Sequence, residues 1–207
     1  LFLIMLKLIK TPSFIRYIYP SLIWNKEKSR KTIYLTFDDG PCKDLSNFVL
    51  DELKKYQAKA TFFYLGKQVE KYPKIIERCI NENHQIGNHS YSHLNGWKTK
   101  NKKYYKDINK ASKLINSNLF RPPYGRIKIS QIKHLKKQYK IVMWDVLSWD
   151  FDENTCAKKC FKNIIENTSS GSIIVLHENE KTHKKVKEVL PKILNYFSSK
   201  GFTFDVL

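Results

Sequence analysis

The sequence has no apolar run long enough to cross a bilayer. A membrane-spanning helix needs about 20 consecutive apolar residues, and the apolar stretch over residues 1–24 is interrupted by Lys7, Lys10 and Arg16. No small-residue cleavage site follows that stretch, so we predict no cleaved secretory signal. We expect a protein that is cytoplasmic or loosely associated with a membrane, in which residues 1–30 form a strand-and-turn lead-in packed on one domain. An amphipathic segment in the membrane interface is the alternative.

Cysteine is also scarce. The four cysteines are Cys42, Cys79, Cys156 and Cys160, and no two of them form a CxxC pair. Cys156 and Cys160 are four residues apart, but no second Cys/His pair lies near them at the spacing of a zinc site. This pattern argues against a disulfide-stabilised scaffold and against a zinc finger. We interpret the cysteines as free thiols, as expected in a reducing compartment.

Acidic residues are outnumbered by basic ones. There are 38 Lys and Arg against 19 Asp and Glu, which gives a formal net charge of +19. Such a chain is attracted to polyanions, so we expect peripheral association with an anionic membrane or glycan. The lysines are scattered along the chain without forming one aromatic-interleaved patch, and we interpret the charge as a solvated basic surface. A basic nucleic-acid-binding protein is an alternative function, but no nucleic-acid-binding motif is present and no specific nucleic acid is expected.

Apolar residues are plentiful and occur in short alternating segments. They make up 42% of the 207 residues, enough for the core of one domain. Period-2 and apolar runs predict strands at 33–37, 60–65, 84–88, 141–144, 172–176 and 202–204. Helical spacing predicts helices at 45–56, 72–81, 105–114, 130–137, 155–167 and 186–197. The alternation predicts a single α/β domain over residues 31–207. Because a full eight-fold barrel needs about 250 residues, we predict a distorted or incomplete (β/α) barrel.

Polar residues cluster where the predicted strands end. The clusters are Asp38–Asp39, His89 with His93, residues 121–125, Asp150 and His177. Each alone has an ordinary explanation as a turn, a helix cap or a surface side chain. In parallel βα folds, however, the carboxyl ends of the strands share one rim, where ligands bind. Paired carboxylates in such a place require a nearby cation, and two imidazoles with a carboxylate suit a divalent metal.

Four of these clusters resemble the motifs of one enzyme family. TFDDGP at 36–41, HSYSH at 89–93, RPPYG at 121–125 and IIVLH at 173–177 are similar to motifs of the NodB-homology polysaccharide deacetylases, carbohydrate esterase family 4. The resemblance runs from about Lys31 to the C-terminus and implies the distorted barrel. It also implies a metal-dependent hydrolase that removes N-acetyl groups from an amino-sugar polymer or oligomer, of the chitin-oligomer, peptidoglycan or surface-polysaccharide type. A catalytically weak carbohydrate-binding protein on the same fold is the other alternative.

The resemblance also implies a role for each matched residue. The metal ligands would be Asp39, His89 and His93, with zinc as the expected metal and cobalt, manganese or iron as alternatives. Asp38 would be the general base and His177 the general acid. Arg121 would orient Asp38, and the backbone N–H of Tyr124 would help to hold the oxyanion. Apolar walls for a sugar ring are expected from Tyr91, Tyr124, Trp149 and Phe151.

The fourth family motif is matched only in part. The family has D-x-x-D-W, whereas this chain has WDVLSWDF at 144–151. Aligning Asp150 and Phe151 with the closing pair puts Leu147 where the first Asp is expected. In that register Asp150 is the predicted partner of His177, and Asp145 is the alternative. Val175 replaces a leucine in the fifth motif, which predicts a slightly wider acetyl pocket.

Overall fold

The computed structural model describes residues 8–27 and 31–207. The helices are α1 (Ser13–Ile18), α2 (Lys43–Lys55), α3 (Gly66–Lys71), α4 (Pro73–Asn81), α5 (Asn101–Ser112), α6 (Ile129–Leu135), α7 (Ala157–Asn167) and α8 (His183–Ser199). The strands are β1 (Thr32–Asp38), β2 (Ala60–Tyr64), β3 (Gln85–Asn88), β4 (Leu119–Phe120), β5 (Lys140–Ile141), β6 (Val146–Leu147), β7 (Ile173–His177) and β8 (Thr203–Phe204). Two single 3-10 turns span Gly96–Lys98 and Pro123–Gly125. The rest of the predicted lead-in, residues 1–7 and 28–30, lies outside the described residues.

The strands form one parallel sheet in the order β5-β4-β3-β2-β1-β7-β6, and β8 pairs with the start of β1. Its central strands are almost wholly buried, with every residue of β2 and all but one of β1 hidden from solvent. This explains why they are continuous apolar runs, since helices cover a parallel sheet. The predicted single-domain (β/α) fold is therefore confirmed.

The barrel is incomplete at the seam between β5 and β6. Among the described residues these two strands end the sheet, and no ladder joins them. The lead-in covers this seam, because Ile23 pairs in parallel with Val142 and Lys10 pairs antiparallel with Val146. The described lead-in is packed on the domain, but its regular element is the short helix α1 and not a strand. None of the described helices combines the length and the apolar character that crossing a membrane demands.

Two large clusters of apolar side chains form most of the core, and a third cluster of four buried residues includes Phe63 and Val142. The larger lies between the central strands and the helices α2, α4, α7 and α8, and includes Phe37, Leu50 and Leu190. The smaller lies under β4, β5, α5 and α6, where Ile15 and Tyr19 of the lead-in pack against it. The sheet is thus held rigidly from both sides, and its carboxyl edge is a firm base for the polar side chains.

Several elements differ from the sequence prediction, and the two-residue strands β4 and β6 were not predicted. The six-residue helix α3 was not predicted, because so short a helix carries no clear apolar period. Helix α5 begins at Asn101, four residues before the predicted start at 105, because its lysine-rich first turn has no apolar pattern. The predicted strand at 141–144 ends at Ile141, since Met143 leaves the sheet and donates its N–H to the carbonyl of Ile23.

Candidate active site

The predicted site residues converge on the carboxyl edge of the sheet. Asp38 ends β1 and is the register partner of His177 at the end of β7. On the other side of β1, Asn88 ends β3, so His89 follows at the same edge. Because these strands are parallel, side chains from distant parts of the sequence lie together there.

Asp39, His89 and His93 form a compact cluster. One ligating atom from each lies within 4.8 Å of the others. Asp39 Oδ1 lies 3.1 Å from His93 Nε2 and 3.6 Å from His89 Nε2. This oxygen is buried and accepts no hydrogen bond from any described group. A buried, unpartnered carboxylate oxygen facing two imidazole nitrogens fits the site of a divalent cation.

The surroundings of Asp39 and His89 favour the deprotonated carboxylate and the neutral imidazole, the protonation states that bind a metal. Burial alone would raise the pKa of Asp39, but the adjacent His93 and the charges of His177 and His89 outweigh it and hold that pKa well below its usual range. Burial lowers the pKa of His89 to about 4, so this imidazole is neutral near pH 7. Its Nδ1 lies 2.8 Å from the carbonyl oxygen of Arg121. Since a carbonyl only accepts, the proton is on Nδ1 and Nε2 is left as the ligand atom.

The loop that carries the two histidines is not a helical turn, although they lie four residues apart. Ser90 and His93 have left-handed backbone angles, with φ of 67° and 60°. The loop is held by Asp107 of α5, whose carboxylate accepts from the backbone N–H groups of Tyr91 and Ser92 at 2.9 and 3.0 Å. Asp107 was not predicted, because nothing in its local sequence connects it with a loop 15 residues away.

Asp38 is paired with a wholly buried arginine. Arg121 Nη1 donates to Asp38 Oδ1 at 2.7 Å and to Thr36 Oγ1 at 2.7 Å. Its Nη2 donates to the carbonyl of Met143 at 2.9 Å, and the guanidinium lies 4.2 Å from the centre of the Phe63 ring. A buried charge is stable only when paired and hydrogen-bonded. Arg121 therefore fixes the Asp38 carboxylate in place and balances its charge.

His177 is bound by Asp150. Asp150 Oδ1 lies 2.7 Å from His177 Nδ1, while Oδ2 accepts the backbone N–H of His177 at 2.7 Å. Burial would lower the pKa of His177, but the charge and hydrogen bond of Asp150 outweigh it and raise the pKa to about 9. Asp145 lies elsewhere, in an ion pair with Arg16 and accepting from Ser172 Oγ at 2.5 Å. His177 is therefore hydrogen-bonded to Asp150 and not to Asp145, as predicted.

Aromatic rings flank the cluster on two sides. The Tyr124 ring is 58% exposed and its centre lies 4.4 Å from that of His93. The Phe151 ring meets His177 edge-on at 4.9 Å, and Trp149 lies 5.1 Å beyond it. Tyr91 was expected in the wall but is directed elsewhere, because its hydroxyl donates to Glu70 at 2.6 Å. Tyr124 and Phe151 thus contact site histidines, and Trp149 packs behind Phe151.

Two side chains next to the site were missed by sequence reasoning. Asn179 donates from Nδ2 to Asp39 Oδ2 at 2.9 Å and so orients the carboxylate of the cluster. Glu178 is wholly buried, and burial raises its pKa to about 8. A Cβ at Gly40 would lie 2.8 Å from Glu178 Oε2, so the DDG turn needs its glycine. Both residues follow His177 within two positions, so their closeness to the site could have been inferred from the end of β7. Their residue types alone give no such indication.

The arrangement combines three chemical functions at one edge of the sheet. It has a cluster suited to a divalent cation, a carboxylate that does not belong to that cluster, and an imidazole held in its protonated form. A carboxylate can accept a proton from water, and an imidazolium can donate one to a leaving group. These are the requirements of metal-assisted hydrolysis.

Comparison with known proteins agrees with this chemistry. The sequence pattern of the polysaccharide deacetylase family matches residues 25–142. A peptidoglycan-N-acetylglucosamine deacetylase of Bacillus cereus is 36% identical over 187 residues, covering 86% of this chain and 68% of that protein. The peptidoglycan-N-acetylmuramic acid deacetylase PdaC of Bacillus subtilis is 34% identical over 178 residues, 81% of this chain and 37% of that protein. A crystal structure of a peptidoglycan N-acetylglucosamine deacetylase superposes with a TM-score of 0.87 at 33% identity, covering 95% of each chain.

Proposed function

We propose, on the premise that this chain belongs to the polysaccharide deacetylase family, that its substrate is peptidoglycan and that it removes the acetyl group from N-acetylglucosamine residues. The family match covers more than half of the chain, and the reaction class, hydrolytic removal of N-acetyl groups from an amino-sugar polymer, follows from membership. The choice of peptidoglycan rests on the names of the relatives. The observation that carries the chemistry is the meeting of Asp38–Arg121, the Asp39 cluster and Asp150–His177 at one edge of the sheet.

The family is metal-dependent, and we propose zinc as the metal of this chain, held by Asp39, His89 and His93. Two imidazoles and one carboxylate form a typical zinc ligand set, although cobalt, manganese and iron accept the same donors. The unpartnered oxygen of Asp39 and the free Nε2 of His89 support the assignment. When bound, the cation would polarise the acetyl carbonyl and lower the pKa of a water molecule.

Asp38 is proposed as the general base. Its carboxylate is bound to Arg121 and not to the histidine cluster, so it accepts the proton of the attacking water while the water oxygen adds to the acetyl carbon. Arg121 has its donors directed at Asp38, Thr36 and backbone carbonyls, so it holds the base in one orientation. A fixed base avoids the cost of reorientation when the substrate reacts.

His177 is proposed as the general acid. With a pKa of about 9 it carries a proton near neutral pH. It gives that proton to the sugar nitrogen as the amide C–N bond breaks, which releases acetate and a free amine. Asp150 keeps the proton available by stabilising the imidazolium and by fixing the ring through two hydrogen bonds.

Tyr124 is proposed to complete the site through its backbone N–H. Its ring packs against His93, one of the residues of the Asp39 cluster. Its φ of 60° turns the backbone sharply at this point. A backbone donor there would stabilise the negative oxygen of the tetrahedral intermediate.

Acetate release from a panel of glycans tests the proposal. The panel contains purified peptidoglycan, N-acetylglucosamine oligomers and an N-acetylated surface polysaccharide, each with and without added zinc, cobalt, manganese or iron. We expect metal-dependent release that is fastest from peptidoglycan and from its N-acetylglucosamine residues. Release from the neutral oligomers but not from peptidoglycan would contradict the substrate assignment. No release from any glycan by metal-loaded protein would favour the catalytically weak alternative.

A further inference from the structure

The positive charge of this protein is concentrated in one part of the chain, contrary to the even spread inferred from the sequence. Residues 96–140 hold 14 of the 38 basic residues and one of the 19 acidic residues. This segment therefore carries +13 of the net +19. The rest of the chain has 24 basic and 18 acidic residues, a net charge of +6. A local excess of this size creates a strong positive potential around the elements that carry it.

The fold places much of this charge on two neighbouring helices. The ring of Tyr105 in α5 stacks on that of His134 in α6, with centres 4.0 Å apart, and Asn101 donates to Ser130 Oγ at 3.1 Å. Eight lysines on or directly after these helices are exposed: Lys102, Lys103, Lys106, Lys110, Lys113, Lys133, Lys136 and Lys137. We call this surface the α5–α6 face.

No acidic side chain of the segment offsets these lysines at the surface. Asp107 is the one acid of residues 96–140, and its carboxylate is directed to the 91–92 loop, as described above. Glu70 of α3 lies at the border of the face, where it accepts the hydroxyl of Tyr91. The face therefore presents positive charge to solvent, with Glu70 at its edge.

A series of exposed rings joins the α5–α6 face to the active site. The first ring is Tyr124, which lies beside His93. The guanidinium of Arg126 lies 5.9 Å from the centre of the Tyr124 ring and 5.5 Å from the centre of the Trp97 ring. Trp97 is 60% exposed and is fixed by a hydrogen bond from Nε1 to the carbonyl of Ile127 at 3.0 Å. Gly96 permits this packing, because a Cβ there would lie 2.3 Å from the carbonyl oxygen of Arg126.

We propose that the α5–α6 face binds a carboxylate-bearing glycan strand and that Trp97 stacks on a sugar ring between this face and the active site. This inference rests on the proposed function, since it extends the binding of the same substrate. An exposed, immobilised indole suits the apolar face of a pyranose ring. Regularly spaced lysines complement the repeated carboxylates of muramic acid and stem peptides, which neutral N-acetylglucosamine oligomers lack. A nucleic acid or an anionic membrane is less suitable, because the face leads through an aromatic ring into a deacetylation site.

A pair of charge-matched variants tests the proposal. The face variant replaces Lys102, Lys103, Lys106, Lys133, Lys136 and Lys137 by glutamine. The control variant replaces six other exposed lysines by glutamine: Lys158, Lys159, Lys162, Lys184, Lys192 and Lys200. Both lose six charges, so only the location differs. Binding is measured by co-sedimentation with peptidoglycan sacculi stripped of phosphate polymers, and activity by acetate release from sacculi and from a short N-acetylglucosamine oligomer.

We expect the face variant to bind sacculi about tenfold more weakly at low salt, while the control stays within about twofold of the wild type. Higher ionic strength should reduce the difference in sacculus binding between the face variant and the control, since the charges are exposed. Neither variant should change kcat/KM for the neutral oligomer. Trp97→Ala should lower kcat/KM for sacculi by about threefold to tenfold, with metal content unchanged.

Four results would overturn the proposal. The first is an equal loss of sacculus binding in both variants, and the second is a loss of kcat/KM for the neutral oligomer in the face variant. The third is unchanged sacculus binding in the face variant, and the fourth is face-dependent binding that is tighter to random duplex DNA or phosphatidylglycerol vesicles than to sacculi. Failure of the proposed function has a different signature. In that case the wild type releases no acetate from any glycan, while the co-sedimentation result still decides whether the face binds the strand.

Discussion

Two histidines on either side of β1 show how one site produces opposite protonation states. His89 follows β3 and His177 ends β7, and burial lowers the pKa of both. His89 faces the neutral carbonyl of Arg121 and its pKa falls to about 4. His177 faces the carboxylate of Asp150 and its pKa rises to about 9. The hydrogen-bond partner, and not burial, decides whether the imidazole is suited to bind a metal or to donate a proton.

Removing the metal tests the His89 side and should have the largest effect. We expect dialysis against a chelator to reduce acetate release to background and added zinc to restore it, because the three-ligand cluster would hold the cation. His93→Ala should lose both metal and activity by elemental analysis and acetate assay. His134→Gln, on the exposed side of α6, is the control and should keep its metal and its activity on a short N-acetylglucosamine oligomer. Full activity in metal-free protein would show that the cluster has another role.

Asp38→Asn separates the base from the ligands. We expect turnover to fall by roughly 10²- to 10⁴-fold, the usual contribution of a general base, with metal content retained. The reason is that Asp38 contacts Arg121 and not the histidine cluster. Asp39→Asn is the control and should lose the metal. Because Asn leaves a buried guanidinium without its counter-charge, thermal unfolding should be recorded for both variants. Loss of metal from Asp38→Asn alone would mean that the two aspartates have the opposite roles.

Asp150→Asn tests the His177 side. Without the carboxylate, burial dominates and the pKa of His177 should fall from about 9 to its ordinary value or below. A general acid works only while protonated, so the decline of kcat at high pH should move to lower pH. At neutral pH we expect a loss of roughly tenfold to hundredfold. A kcat–pH profile measures both effects, and an unshifted profile would show that Asp150 does not control His177.

Asp145→Asn should have the smallest effect on catalysis and serves as the matched control for Asp150→Asn. Asp145 is 3% exposed and binds Arg16 and Ser172, away from the site. Weakening this partly buried pair should cost about 1 to 3 kcal/mol of unfolding free energy. For a chain of this size each kcal/mol lowers Tm by about 2 to 4 °C. We expect acetate release to stay near the wild-type rate, and a shifted pH profile would place Asp145 in the acid pair instead.

Most of the fold was predictable because alternating apolar patterns identify βα units locally. The strands 33–37 and 172–176 correspond closely to β1 and β7. The way in which the lead-in covers the open seam between β5 and β6 was not predictable, since it depends on the pairing of Ile23 and Lys10 with distant residues. The shape of the 89–93 loop was also beyond local reasoning, because Asp107 holds it from another element.

The sequence by itself determined the residue types and the order of the site: two adjacent aspartates, two histidines four apart, an arginine, and a histidine after the most apolar strand. Their placement after strands followed from patterning, because parallel strands end at one edge. Only the tertiary structure decided which nitrogen of His89 is free, how the 89–93 loop is held, and that the lysines of α5 and α6 share one face. Each of these depends on a contact between distant segments, such as His89 with the carbonyl of Arg121 or Tyr105 with His134. Such contacts are made by packing and leave no local trace in the chain.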